Sequence, residues 1–134
     1  MGKGQAAIET LVIMAVSVAV LMVILTSSRE KMSATDYNVQ VAQAKTSLAK
    51  LASAAEFVYS QSVGAATDVS IVIPQKVADV NVGGYSFEFL MSTDEGETSS
   101  IIRATVAQLN GTIDPSPGIK RVVLTNVGDF VQVT

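Results

Sequence analysis

The chain has 134 residues, a formal net charge of −3 and a hydrophobic fraction of 49%, but only 5% of its residues are aromatic. It contains no Cys, His or Trp, which excludes disulfides, thiolate metal sites, a Cys nucleophile and a His general base. The charge balance provides no basic field for binding nucleic acid. This length allows one small domain and an accessory segment. Because hydrophobic residues are abundant and aromatic residues are few, we expect the hydrophobic residues to be concentrated in one part of the chain.

The N-terminal part contains an apolar segment long enough to span a membrane. No charged side chain occurs from Thr10 to Ser28, and Ser17 is the only polar residue between Leu11 and Leu25. About 20 such residues form a helix that crosses the hydrocarbon layer. A cleaved secretory signal is the alternative, but its apolar core is shorter and ends at a small-residue cleavage site. We therefore predict a retained transmembrane or filament-core helix over residues 5–28.

The helical pattern continues beyond this segment. No Gly or Pro, the strongest helix breakers, occurs between Gly4 and Gly64. In the second half, apolar residues recur at spacings of three and four and form one stripe on an otherwise polar helix. The stripe contains Tyr37, Val41, Ala44, Leu48, Leu51, Ala55 and Val58. We predict an amphipathic continuation over residues 29–63, ended by Gly64, whose stripe packs on its own C-terminal part or, alternatively, on another subunit.

Residues 64–134 have the pattern of a small antiparallel β-sheet, which we call the β head. Strand-like runs alternate with turn signals at Pro74, at Gly83-Gly84 and at residues 114–118 and 126–128. Asn110-Gly111, at the end of another run, is typical of a two-residue hairpin. The prediction is an α+β fold, in which a meander of four to six strands packs on the amphipathic half of a long N-terminal helix.

Two polar features of the β head have possible functions. Loop 93–100 carries three carboxylates in four residues; such a group could bind a hard cation, but its spacing resembles no calcium loop, and we interpret it as a solvated hairpin tip. Asn110-Gly111-Thr112 matches the acceptor sequence for N-glycosylation, so Asn110 is a possible glycosylation site if the head is extracellular. We predict no catalytic residue, metal site or cofactor.

The first ten residues read Met1-Gly2-Lys3-Gly4-Gln5-Ala6-Ala7-Ile8-Glu9-Thr10. This start resembles that of archaeal type IV pilin-like proteins with a class III signal peptide. The resemblance implies that residues 1–4 are a leader peptide and that a prepilin peptidase cuts between Gly4 and Gln5. Glu9 is then the acid at the fifth position of the mature chain. Ala7 occupies a position where the family often has Ser.

Glu9 also has a physical interpretation that does not depend on the family. An ionised carboxylate in the apolar layer costs about 3 kcal/mol or more unless it is paired or hydrated. Cleavage would create an ammonium at Gln5, one helical turn from Glu9. The resemblance implies that Glu9 meets this amine on a neighbouring subunit during assembly. Alternatively, Glu9 complements the helix dipole at the headgroup level. Cyclisation of an N-terminal Gln would remove the partner charge.

The resemblance implies a structural pilin. The precursor is inserted in the cell membrane, cleaved, and polymerised through its apolar helix into an extracellular surface filament for adhesion or surface attachment. Its partners are then copies of itself, membrane lipid before assembly, the prepilin peptidase, an assembly ATPase and a membrane platform protein. The alternatives are a single-pass membrane-anchored extracellular binding module and a minor pilin or pseudopilin of a secretion machine. We predict that the chain is not an enzyme.

Overall fold

The computed structural model describes residues 2–134. Helix α1 spans Gly2–Tyr59 and is followed by strands β1 (Ala66–Ile73), β2 (Val77–Ser92), β3 (Thr98–Gly111), β4 (Gly118–Asn126) and β5 (Val131–Val133). Residue contacts divide the chain into two units, of which the first ends at Asp36 and the second is Tyr37–Thr134. The predicted α+β class, with a long apolar N-terminal helix and a small β-sheet, is confirmed.

The predicted apolar stripe is the buried face of α1 in the second unit. Five of its members are at most 1% exposed, namely Ala44, Leu48, Leu51, Ala55 and Val58. They form one hydrophobic cluster with the alternating side chains Phe87, Phe89 and Met91 of β2. Because full burial of a large apolar side chain stabilises the fold by about 1.5–3 kcal/mol, this interface is a main source of stability. The stripe therefore packs on its own chain.

The sheet has the order β1-β4-β5-β3-β2. Three neighbouring pairs are antiparallel, and β4 and β5 form a hairpin at the predicted turn after Asn126. The pairing of β3 with β5 is parallel and joins Leu109 to Val131 and Gly111 to Val133. The sheet is therefore mixed, whereas the sequence predicted an antiparallel meander.

The prediction of a hairpin at Asn110-Gly111 is wrong. Both residues lie at the end of β3, and β5 separates β3 from β4. Gly111 has a φ of 147°, and a Cβ atom there would overlap the carbonyl group of Val133. The glycine is thus required by the close approach of β5, and not by a turn. Residues 112–117, which include two prolines, carry the chain to β4.

Strand β2 bends back on itself. A straight strand of its 16 residues would be about 53 Å long. However, the amide of Ser92 donates a hydrogen bond to the carbonyl of Lys76 (2.8 Å), and the Asn81 side chain donates to the Glu88 carboxylate (3.1 Å). The two ends therefore meet. The predicted turn at Gly83-Gly84 lies midway between them, and Gly84 has a positive φ of 59°.

Two polar side chains of α1 form hydrogen bonds with the backbone of β1 and of the turn that follows it. Ser47, which lies outside the predicted stripe, is 3% exposed. Its hydroxyl donates to the carbonyl of Val72 (2.7 Å) and accepts from the amide of Val72 (3.1 Å). Gln40 accepts a hydrogen bond from the amide of Lys76 (2.9 Å). Ser47 is buried because the amide and carbonyl of Val72, on the edge strand β1, need hydrogen-bond partners when the helix covers them.

The helix ends at Tyr59, five residues before Gly64. The buried side chain of Asn126 lies against this end and donates from Nδ2 to the carbonyls of Val58 (3.2 Å), Tyr59 (3.4 Å) and Gln61 (3.0 Å). Its Oδ1 accepts from the amide of Gly128 (2.9 Å). One residue of β4 thus satisfies carbonyls that the end of the helix leaves without intrahelical partners.

We expect Asn126→Ala to lower the free energy of unfolding by about 1–3 kcal/mol, because it removes a buried amide that donates to the carbonyls of Tyr59 and Gln61 and accepts from the amide of Gly128. Asn126→Asp keeps the acceptor for Gly128 but loses the donors, so it should be at least as destabilising. Asn81→Ala, which removes one exposed hydrogen bond, is the matched control and should change stability by less than about 0.5 kcal/mol. Urea unfolding followed by circular dichroism measures all three. Equal losses for Asn126→Ala and Asn81→Ala would contradict the capping role.

Candidate assembly site

Over residues 2–36, the described part of the first unit, the helix has no buried side chain. The large apolar residues of its apolar segment, which run from Ile8 to Leu25, are each 53–69% exposed, and none of the apolar window is covered. They are Ile8, Leu11, Val12, Ile13, Met14, Val16, Val18, Val20, Leu21, Met22, Val23, Ile24 and Leu25. The helix is long and apolar enough to cross a membrane. A helix that is apolar on all sides requires an apolar environment around its whole circumference.

Three hydroxyl side chains within this segment form hydrogen bonds with the helix itself. The hydroxyls of Thr10, Ser17 and Thr26 each donate to the carbonyl four residues earlier, at 2.9, 2.8 and 2.9 Å. Such bonds remove the cost of placing a hydroxyl in hydrocarbon without a partner. These bonds were not predicted from the sequence, although a Ser or Thr in an apolar helical run is a sufficient signal for them.

The predicted cleavage and assembly residues all lie in the first turns of α1. Gly4, Gln5 and Glu9 are exposed and helical. The side-chain amide of Gln5 is 3.5 Å from Oε1 of Glu9, so residues 5 and 9 face the same side, as their spacing predicts. An amine created at Gln5 by cleavage would start within one turn of this carboxylate. Cleavage and intersubunit pairing stay predictions.

Within the predicted loop 93–100, residues 93–97 form a tight turn between β2 and β3, and residues 98–100 belong to β3. The amide of Thr93 donates to the carbonyl of Glu97 (2.8 Å), and the Thr93 hydroxyl accepts from the amide of Glu97 (3.1 Å). Lys76 forms an ion pair with Asp94 (2.9 Å), and its ammonium lies 5.5 Å from the centre of the Tyr37 ring. Within residues 2–134, no three His, Cys, Asp or Glu side chains converge to hold a metal ion.

Asn110 lies on β3 in the second unit and is exposed. It is level with Gln132 of β5 in the parallel pair. Thr112, the third residue of the acceptor sequence, is also exposed. Asn110 and Thr112, the two side chains that define the acceptor sequence, therefore both lie at the surface.

Asp114 is the centre of a small hydrogen-bonded network before β4. Lys120 Nζ and Ser116 Oγ donate to Asp114 Oδ2 (2.8 and 2.6 Å), and the amide of Ser116 donates to Oδ1 (3.0 Å). The hydrogen bond from Lys120, followed in effect by those from Ser116, holds the pKa of Asp114 well below its usual range. The network links Asp114 and Ser116, in the proline-containing segment, to Lys120 of β4.

Because the pKa of Asp114 is lowered in the folded state, its stabilising effect is present above the unfolded pKa of about 3.9 and is lost progressively below it. We expect Asp114→Asn to show a smaller fall in Tm between about pH 4 and pH 2 than the wild-type chain. Asp129→Asn, whose carboxylate forms no ion pair within the described residues, should behave as wild type. Thermal unfolding by circular dichroism in this range tests the prediction, and an unchanged acid profile in Asp114→Asn would refute it.

Comparison of the chain with protein-family models, with curated proteins and with solved structures found no match.

Proposed function

We propose that this chain is a structural subunit of a type IV pilin-like surface filament. The precursor would be held in the membrane by the apolar helix, cut between Gly4 and Gln5, and polymerised with other copies through the same helix. The single observation that supports this proposal most strongly is the uncovered apolar surface of the first unit, together with a β-sheet unit on the same chain.

The exposed apolar residues give the proposal its physical basis. Each large side chain that moves from water into an apolar environment gains about 1.5–3 kcal/mol. Lipid meets this requirement for the precursor, and identical helices from other subunits would meet it outside the membrane. A repeated contact between copies that does not close on itself produces a helical filament. The small residues Ala15, Ser17 and Ala19 would allow close approach between helices.

Material sheared from the surface of cells that produce the chain provides the direct test. Negative-stain electron microscopy should show filaments, and mass spectrometry of the purified filaments should give a subunit that begins at Gln5, as Gln or as its cyclised form. An uncut chain that occurs only as a single copy in the membrane, with no filaments under any growth condition, would refute the proposal.

The second candidate is a membrane-anchored binding module, and one observation favours it. An open groove of about 470 Å³ lies between α1 and β1 in the second unit, with Phe57 and Lys50 among its lining residues. Phe57 is 60% exposed. Replacing residues 10–28 by an unrelated transmembrane helix of equal length separates the two functions. A binding module would tolerate the exchange, whereas a filament subunit would insert in the membrane and fail to assemble.

A further inference from the structure

Asn110 differs from two other asparagines of the second unit in having an unused side chain. Asn126 is buried and donates to three carbonyls, and Asn81 donates to Glu88. The Asn110 side chain is exposed and makes no hydrogen bond to any described residue of the chain. Its amide contributes nothing visible to the fold, although it occupies the first position of an Asn-Gly-Thr sequence.

The outer face of β3, which carries Asn110, also exposes two large apolar side chains. Side chains at every second position of a strand share a face. On β3, Thr105, Ala107 and Leu109 are buried against the core, so the even-numbered positions face outward. This outward row includes Ile102 and Val106, which are 61% and 70% exposed, and it ends at Asn110. Val106 is four residues, or about 13 Å, from Asn110.

We propose that Asn110 is N-glycosylated and that its glycan covers the exposed apolar side chain of Val106 on the outer face of β3. This proposal depends on the location of the second unit outside the membrane, which belongs to the proposed function. A hydrophilic chain of a few sugars attached at Asn110 would reach Val106. It would shield a surface that otherwise favours association with other apolar surfaces.

The reaction is a group transfer from a lipid-phosphate-linked oligosaccharide. Nδ2 of Asn110 forms a bond to the anomeric carbon of the first sugar, and the bond from that carbon to the phosphate oxygen breaks. The nitrogen loses one proton, the lipid phosphate leaves with the bonding electron pair, and no oxidation or reduction occurs. The hydroxyl of Thr112 is the part of the acceptor sequence that the transferase recognises.

Peptide mass spectrometry of the full chain from its own cells tests the site. Trypsin releases residues 104–120, which contain Asn110 as the only Asn. We expect this peptide to carry a glycan in the wild-type chain and in Thr112→Ser, which keeps the acceptor hydroxyl. It should be unmodified in Asn110→Gln and in Thr112→Val. An unmodified wild-type peptide, or a glycan retained in Thr112→Val, would overturn the proposal.

The covering role has its own measurement. Binding of a dye that fluoresces on apolar surfaces should increase at least twofold in Asn110→Gln, and the further change Val106→Thr should reduce the signal again. Unchanged dye binding in Asn110→Gln would overturn this part. The outcome is separable from filament formation, because filaments with unmodified Asn110 contradict only the glycan. A glycosylated chain that stays monomeric in the membrane contradicts only the proposal that the chain forms filaments.

Discussion

Glu9→Ala is expected to abolish filaments or reduce their yield at least tenfold, while the precursor still inserts in the membrane. The apolar segment that drives insertion is unchanged in this variant, and losing a charge at its edge favours insertion by up to about 3 kcal/mol. Assembly is affected differently. The amine created at Gln5 would enter an apolar filament core without its partner carboxylate, and breaking a buried pair in this way costs about 3–5 kcal/mol.

Two further variants separate charge from shape and from position. Glu9→Gln keeps the length and hydrogen-bonding capacity of the side chain but removes the charge, so it should fail in the same way as Glu9→Ala. Glu30→Gln makes the same chemical change beyond the apolar segment, where Glu30 is exposed, and should give normal filaments. Counting filaments per cell by electron microscopy, with membrane fractionation of the precursor, compares them. Normal filament yield in Glu9→Gln would mean that no ion pair is needed.

The parts of the fold that depend on local periodicity were predicted from the sequence. The stripe from Tyr37 to Val58 repeats every three or four residues, and this spacing alone places its side chains on one face of a helix. The alternation of Tyr85, Phe87, Phe89 and Met91 likewise predicts one face of a strand; the last three are buried, whereas Tyr85, next to the bend of β2, is 59% exposed. Both patterns concern residues that are close together along the chain, so no knowledge of the sheet order was required.

The parts that the sequence did not predict depend on contacts between distant residues. The Asn126 side chain on β4 caps the end of the helix, although it lies 67 and 68 residues along the chain from Tyr59 and Val58. Ser47 is buried because β1 lies beside it, and its polarity alone indicated an exposed position. The Asn110-Gly111 pair fits a hairpin by its chemistry, yet β5 passes close to Gly111. Only the three-dimensional pairing shows this.

The features of the first unit that the structure describes depend on residues close together in the chain, whereas cleavage and assembly through Gln5 and Glu9 stay predictions. The exposed apolar segment follows from composition, and the common side of Gln5 and Glu9 follows from helical spacing. The internal hydrogen bonds of Thr10, Ser17 and Thr26 were not predicted, although on a helix each hydroxyl can reach the carbonyl four residues earlier. The neighbouring subunit that completes the proposed pair is a property of the assembly, which one chain does not contain.

Gly111→Ala is expected to be the most destabilising small substitution in the second unit. The φ of 147° is strained for any residue with a side chain, at a cost of about 1–3 kcal/mol. The new methyl group would also overlap the Val133 carbonyl. Val131 and Val133 are at most 1% exposed, so moving β5 away would disturb the core. We expect a total loss of about 4 kcal/mol or more, which is exceptional for one added methyl group.

Gly118→Ala is the matched control, because Gly118 also has a positive φ, of 126°, but no atom lies within 4 Å of the place that its new Cβ would take. It carries the backbone strain without the overlap, so its loss should stay near about 1–3 kcal/mol. Thermal and urea unfolding of the full chain in detergent, followed by near-ultraviolet circular dichroism, compares the two. Since Gly111→Ala keeps the Asn-x-Thr sequence, the comparison is independent of glycosylation. Equal losses would show that β5 moves without cost, and Gly111 would then be required for its backbone conformation alone.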